Sequence, residues 1–125
     1  MSTARRVVTF EGPFRMHRGG FIESPTLAYE TWGELNAAKD NAVLIFTGLS
    51  PSAHATSCAE DPTPGWWEDM IGSGLPIGTD RFFVICVSSL GGWFGSTGPA
   101  SVVPDPGDGD RGGWGGVWGG GGGGA

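Results

Sequence analysis

The segment Phe46-Thr47-Gly48-Leu49-Ser50-Pro51-Ser52-Ala53-His54-Ala55 holds the residues best placed to do chemistry. A glycine at the carboxyl edge of a buried strand lets the backbone turn sharply. The turn leaves amide N–H groups unpaired, and such groups can hold a developing oxyanion. The same pattern suits an ordinary strand-to-loop exit. His54 has the chemistry of a base or of a metal ligand, and equally of a partly buried polar group. His54 and Cys58 stand four apart, but a metal site needs three or four ligands and the sequence clusters no others there. No metal is therefore expected.

A second glycine cluster runs from Leu90 to Pro99 (Leu-Gly-Gly-Trp-Phe-Gly-Ser-Thr-Gly-Pro). Its spacing fails the dinucleotide fingerprint, because Leu90 stands where the first glycine belongs. The only lysine is Lys39, so a P-loop is excluded. A glycine-turned active-site wall and a structural turn both remain open. The nucleophile elbow G-x-S-x-G is absent; Gly48-Leu49-Ser50-Pro51-Ser52 ends on the wrong residue. The only histidines are His17 and His54, so no histidine follows Asp80. A triad of His54, Asp80 and Ser96 has nothing but residue type in its favour. Trp66-Trp67 reads either as a stacking platform or as apolar packing at the start of a short helix.

These groups need elements to position them. Ala42 to Phe46 and Phe82 to Val87 are short apolar runs bounded by turn formers, which fits strands buried on both faces of a mostly parallel sheet. The stretch between them is long enough for a crossover. Leu27 to Trp32 has a partly alternating pattern that suits a more exposed strand, and Val7 to Phe10 suggests another. Trp66 to Ile71 reads as two helical turns stopped by Gly72 and Gly74. Two apolar strands need layers on both faces, and this little helix does not supply them.

Composition narrows the function. Thirteen acidic and seven basic residues give a net charge of −6, which disfavours nucleic-acid binding. No apolar run approaches the roughly 20 residues that span a bilayer. There is no N-terminal apolar signal core, and two cysteines make no disulfide framework, so a cytoplasmic location is expected. Arg5, Arg6, Arg15 and Arg18 make the N-terminus locally basic. Residues 107–125 hold 12 of the 25 glycines. Such a stretch buries too little to offset its ordering entropy. The division expected is a folded unit over 1–103 and a Gly-rich, disordered or out-of-frame tail over 104–125.

In order along the chain come Tyr29-Glu30-Thr31-Trp32-Gly33-Glu34-Leu35-Asn36, Gly48 to Ala55, Gly65-Trp66-Trp67, Thr79 to Val87, and Gly95-Ser96-Thr97-Gly98-Pro99-Ala100-Ser101. Together these stretches resemble the N-terminal part of the homoserine O-acetyltransferase family, which includes the serine O-succinyltransferases. The resemblance covers roughly residues 10–103. It implies an α/β fold, the N-terminal part of an α/β-hydrolase, used for acyl transfer. A serine takes an acyl group from acyl-CoA and passes it to the hydroxyl of L-serine or L-homoserine, with an Asp-oriented His as base. No bound cofactor is implied; acyl-CoA is a co-substrate, and intact members are commonly homodimers.

By that resemblance Gly48-Leu49-Ser50 is the oxyanion loop, with the Leu49 amide as donor. Pro51, Ser52, Ala53 and His54 lie where members differ in substrate choice, and Gly91 to Gly98 line the same pocket. The Thr-Gly-Leu-Ser-Pro-Ser-Ala-His form leans towards the succinyltransferase branch. The sequence departs from the family at Ser73, Gly78 and Trp93-Phe94, and the resemblance stops after Val103. A reading-frame shift or truncation is the expectation, with nucleophile, acid and base absent and the chain inactive alone. The rival reading is a non-enzymatic Gly/Trp-rich binding or structural module built on Trp66, Trp67, Trp93, Trp114 and Trp118.

Overall fold

A computed structural model of the chain describes residues 4–48, 50–99 and 101. Leu49 and the proposed tail, 104–125, lie outside the described residues. Six strands form: β1 (Arg6–Thr9), β2 (Pro13–Arg15), β3 (Phe21–Glu23), β4 (Thr26–Trp32), β5 (Ala42–Phe46) and β6 (Phe83–Val87). Four of them make one sheet in the order β1-β4-β6-β5, and β2 and β3 make a separate hairpin. β5 and β6 run parallel, as their apolar runs predict, whereas β1·β4 and β4·β6 are antiparallel. The sheet is therefore mixed.

Side chains alternate across a strand, and the burial follows. On β4, Ala28, Glu30 and Trp32 turn inward; on β6, Val84 and Cys86 do. With Ile45 of β5 and with Ala55 and Ile71 of the long connection, Trp32, Val84 and Cys86 close one apolar core. The connection between β5 and β6 thus covers one face of the sheet. Burial on both faces, as the apolar runs suggest, is not what forms. β5 is the sheet's outer strand, with Leu44 51% and Phe46 77% exposed, and β6 is fully buried only at alternate residues. The reason is physical: among the described residues no second layer stands on the other face.

The helix expected over Trp66 to Ile71 is also overturned; residues 66–70 form turns. Helix propagation needs each carbonyl to accept from the residue four ahead. Here the Met70 N–H donates to the Trp67 carbonyl, only three residues back (3.0 Å), and the Gly72 N–H goes to the Ile77 carbonyl (3.2 Å) instead of to Glu68. Two glycines matter sterically. Gly33 ends β4 at φ +77°, where a Cβ would lie 2.3 Å from the Phe82 carbonyl oxygen. At Gly65 a Cβ would lie 2.2 Å from the Ala55 carbonyl carbon. Both are close backbone approaches that a side chain forbids.

Candidate functional site

The loop from Thr47 to Ala55 leaves the carboxyl end of β5, beside the carboxyl end of its parallel neighbour β6. In open α/β sheets ligands bind at that end of the strands. The Thr47 hydroxyl donates to the Val87 carbonyl (3.3 Å), and the Ser89 hydroxyl reaches the carbonyls of Thr47 (3.2 Å) and Gly48 (3.3 Å). The start of the loop is thereby pinned to the residues that follow β6.

Of the residues the sequence singles out, Ser50 is exposed, Pro51, Ser52 and His54 are half-buried and Ala53 is buried. Ser52 accepts from the His54 N–H (3.2 Å), and the Ser52 carbonyl accepts from the Trp66 indole (2.8 Å). Trp66 and Trp67 stack at 5.6 Å with 14° between their planes. Both are more than a third exposed, at 41% and 37%, so they are not core.

His54 Nδ1 lies 2.9 Å from Glu30 Oε2 and 4.0 Å from Asp61 Oδ2. Its Nε2 lies 2.7 Å from the Thr63 carbonyl oxygen. Burial works against a charge on the ring, but the Thr63 carbonyl, Glu30 and Asp61 outweigh it and raise its pKa above 6.5. The expectation that no further ligand type stands near His54 is corrected here. Glu30, His54 and Asp61 bring three ligand atoms within 4.8 Å of one another. Cys58 is not among them; its sulfur accepts from the Asp61 N–H (3.4 Å).

Two more features escaped sequence reasoning. Glu68 gathers the loop: Oε2 accepts from the N–H groups of Ser57 (2.9 Å) and Gly65 (2.6 Å), and Oε1 from the Ser57 hydroxyl. These bonds to the charged form, the Ser57 hydroxyl foremost, hold its pKa at about 2. Cys86 is fully buried, and burial, helped by the charge of Glu30, pushes its thiol up to about 12. A thiol so raised is no nucleophile at neutral pH.

The second glycine cluster is bound into the sheet. The Ser96 hydroxyl donates to the Ser88 carbonyl (2.8 Å) and accepts from Ala28 N–H (2.9 Å). Thr97 exchanges bonds with Thr26: its hydroxyl accepts from Thr26 N–H (2.8 Å), and its N–H donates to the Thr26 carbonyl (2.7 Å). His54, Asp80 and Ser96 have separate partners and form no triad. Two clefts among the described residues measure about 420 and 330 Å³; neither is lined by Gly48 or by Ser50 to His54.

No family model matches the chain. Individual proteins do. A serine O-succinyltransferase of Litchfieldella anticariensis is 64% identical over 104 residues, 83% of this chain and 28% of that protein. An L-serine/homoserine O-acetyltransferase of Streptomyces lavendulae is 57% identical over 105 residues, 84% of this chain and 28% of that protein. Among solved structures, homoserine O-acetyltransferase from Bacillus anthracis superposes with a TM-score of 0.73 at 31% identity, covering 83% of this chain and 30% of that one. Esterase E22 superposes with a TM-score of 0.71 at 38% identity, covering 81% and 29%. The chain thus spans about 28% of the length of these curated relatives.

Proposed function

Because the chain belongs to the homoserine O-acetyltransferase and serine O-succinyltransferase family, with part of an α/β-hydrolase fold, we propose that it supplies the oxyanion loop of an acyl-CoA-dependent amino-acid O-acyltransferase. The reaction moves a succinyl or acetyl group from acyl-CoA to the side-chain hydroxyl of L-serine or L-homoserine, in cysteine or methionine biosynthesis. The observation that carries this reading is the 64% identity to a serine O-succinyltransferase, in a chain whose Gly48–Ala55 loop sits at the carboxyl end of β5.

The assigned roles are few. The Leu49 amide donates to the tetrahedral oxyanion, and Gly48 gives the turn that frees it. Ser50, Pro51, Ser52, Ala53 and His54 shape the acceptor side of the loop. Nucleophile, acid and base are not among these 125 residues, so the chain alone turns over no acyl-CoA. The active form is a cytoplasmic homodimer acting on small molecules; no helix among the described residues is long and apolar enough to cross a membrane.

The test is a chimera. Residues 1–103 replace the matching segment of the Litchfieldella enzyme, and succinyl- and acetyl-CoA are assayed with L-serine and L-homoserine. Turnover is expected, and Leu49→Pro, which removes the amide donor, lowers kcat about 10²–10³-fold. A folded but inactive chimera, or one indifferent to Leu49→Pro, refutes the reading.

A further inference from the structure

Side chains alternate across a strand, so the register of the sheet sorts them into rows. One row crosses from Phe46 through Val87 to Tyr29, and another from Leu44 through Ile85 to Thr31. All but Thr31 are aliphatic or aromatic, yet none of the six is buried. The row between them faces the other way, and there Ile45, Cys86 and Glu30 are all buried. Among the described residues, this second face is apolar and has no layer packed on it.

The two edges of the sheet also differ. β1, at one edge, carries Arg6 opposite Tyr29. β5, at the other, reads Ala-Val-Leu-Ile-Phe, with no charge and no proline, and its register with β6 is unbroken by a bulge. Charges, prolines and bulges are what guard an exposed edge against pairing. β5 has none of them, and its composition is that of a strand inside a parallel sheet.

We propose that the outer edge of β5 and the face bearing these rows form a docking surface for a separate polypeptide: the part of a serine O-succinyltransferase chain outside the stretch matched here. The matched stretch is 28% of the Litchfieldella enzyme, so the remainder is long enough to supply both a strand for the edge and a layer for the face. A second copy of this chain does not meet both needs. Pairing two β5 edges continues the sheet and leaves the rows of both copies bare. The surface also reaches the Gly48–Ala55 loop, because Phe46 is the last residue of β5. The partner's identity rests on the family reading, whereas the surface rests on register and exposure.

The experiment co-expresses the tagged 125-residue chain with the Litchfieldella enzyme lacking its matched 104 residues. A 1:1 complex is expected by size-exclusion chromatography with light scattering. Phe46→Glu places an unpaired carboxylate under the partner and is expected to weaken the complex at least about tenfold. Leu44→Lys, in the neighbouring row, is expected to do the same, so the outcome does not hang on one variant folding. Val7→Lys, on the β1 edge, is expected to leave the complex unchanged. Phe46 and Val7 are 77% and 59% exposed, so neither change removes a core contact. A partner that stays insoluble or elutes apart from the chain overturns the proposal, as does a complex indifferent to both Phe46→Glu and Leu44→Lys. So does a dimer of the chain alone that Phe46→Glu splits, since a second copy would then be the occupant. The covalent chimera separates this inference from the acyltransferase reading. An active chimera with no complex between the separate chains removes the docking alone; a Phe46-sensitive complex beside an inactive chimera supports the docking and removes the acyl-transfer reading.

Discussion

Glu68→Gln is a single-atom change at the point where three segments of the connection meet. The carboxylate accepts from two backbone N–H groups and a hydroxyl, and these bonds draw its pKa from 4.5 down to about 2. By linkage such a shift corresponds to about 3 kcal/mol, at about 1.4 kcal/mol per pKa unit. The group is half-buried, so solvent screening reduces this to about 1–2 kcal/mol. A depressed carboxyl pKa stabilises above the unfolded value and loses its effect as pH falls towards the folded one. Glutamine keeps an acceptor for the two N–H groups and loses the charge. Urea unfolding followed by tryptophan fluorescence should therefore show Glu68→Gln less stable than wild type by about 1–2 kcal/mol at pH 7. By pH 3 more than half of that gap should be gone. Equal midpoints at pH 7, or a gap of constant size down to pH 3, would show that the charge on Glu68 does not hold the connection together.

Other substitutions probe the remaining contacts. Ser88→Ala deletes a buried hydroxyl that has no hydrogen-bond partner, while its N–H and carbonyl keep theirs, so the thermal midpoint should rise by the equivalent of about 1 kcal/mol; a lower midpoint would mean the hydroxyl is satisfied in solution. Gly65→Ala drives a Cβ into the backbone of Ala55 and Thr56 and should cost about 3 kcal/mol or more in urea unfolding; a loss under about 1 kcal/mol would contradict that approach. Native chain at pH 8 should react with one equivalent of Ellman's reagent, at Cys58, and with two after denaturation, because the Cys86 thiol is buried and protonated; rapid reaction of both thiols in the native state would count against the packing of β6.

The apolar runs at 42–46 and 82–87 and the alternation at 27–32 were legible because turn formers bracket them and their periods are those of strands. The hairpin of β2 and β3 was not, since its strands are three residues each and only Ile22 is buried. The missing helix at 66–71 reflects backbone N–H groups drawn to partners outside the segment, Trp67 to the Ala55 carbonyl and Gly72 to the Ile77 carbonyl. The loop after β5 was readable from its glycine, but the partner of His54 was not, because Glu30 lies 24 positions away on another strand. A signal was present: Glu30 falls in the same alternating phase as Ala28 and Trp32, and an acid in an inward phase needs a polar partner. Glu68 carried no such signal, because its three donors come from Ser57 and Gly65, loop residues whose placement only tertiary packing sets.

β6 lies between β4 and β5, which do not bond to each other. During synthesis β5 is complete at Phe46, yet its neighbour does not begin until Phe83. At about 5–20 residues per second, that interval is about 2–7 s of elongation. Throughout it the sequence Ala-Val-Leu-Ile-Phe has no strand of its sheet to pair with. β4 meanwhile can pair with β1 on one side only. β6 must then enter as a wedge, closing a parallel and an antiparallel pairing almost together, so the β4-β6-β5 part of the sheet forms in a single late step. A ribosome pausing between codons 46 and 83 would prolong the one period in which this apolar stretch is open to chaperones or to a neighbouring nascent chain.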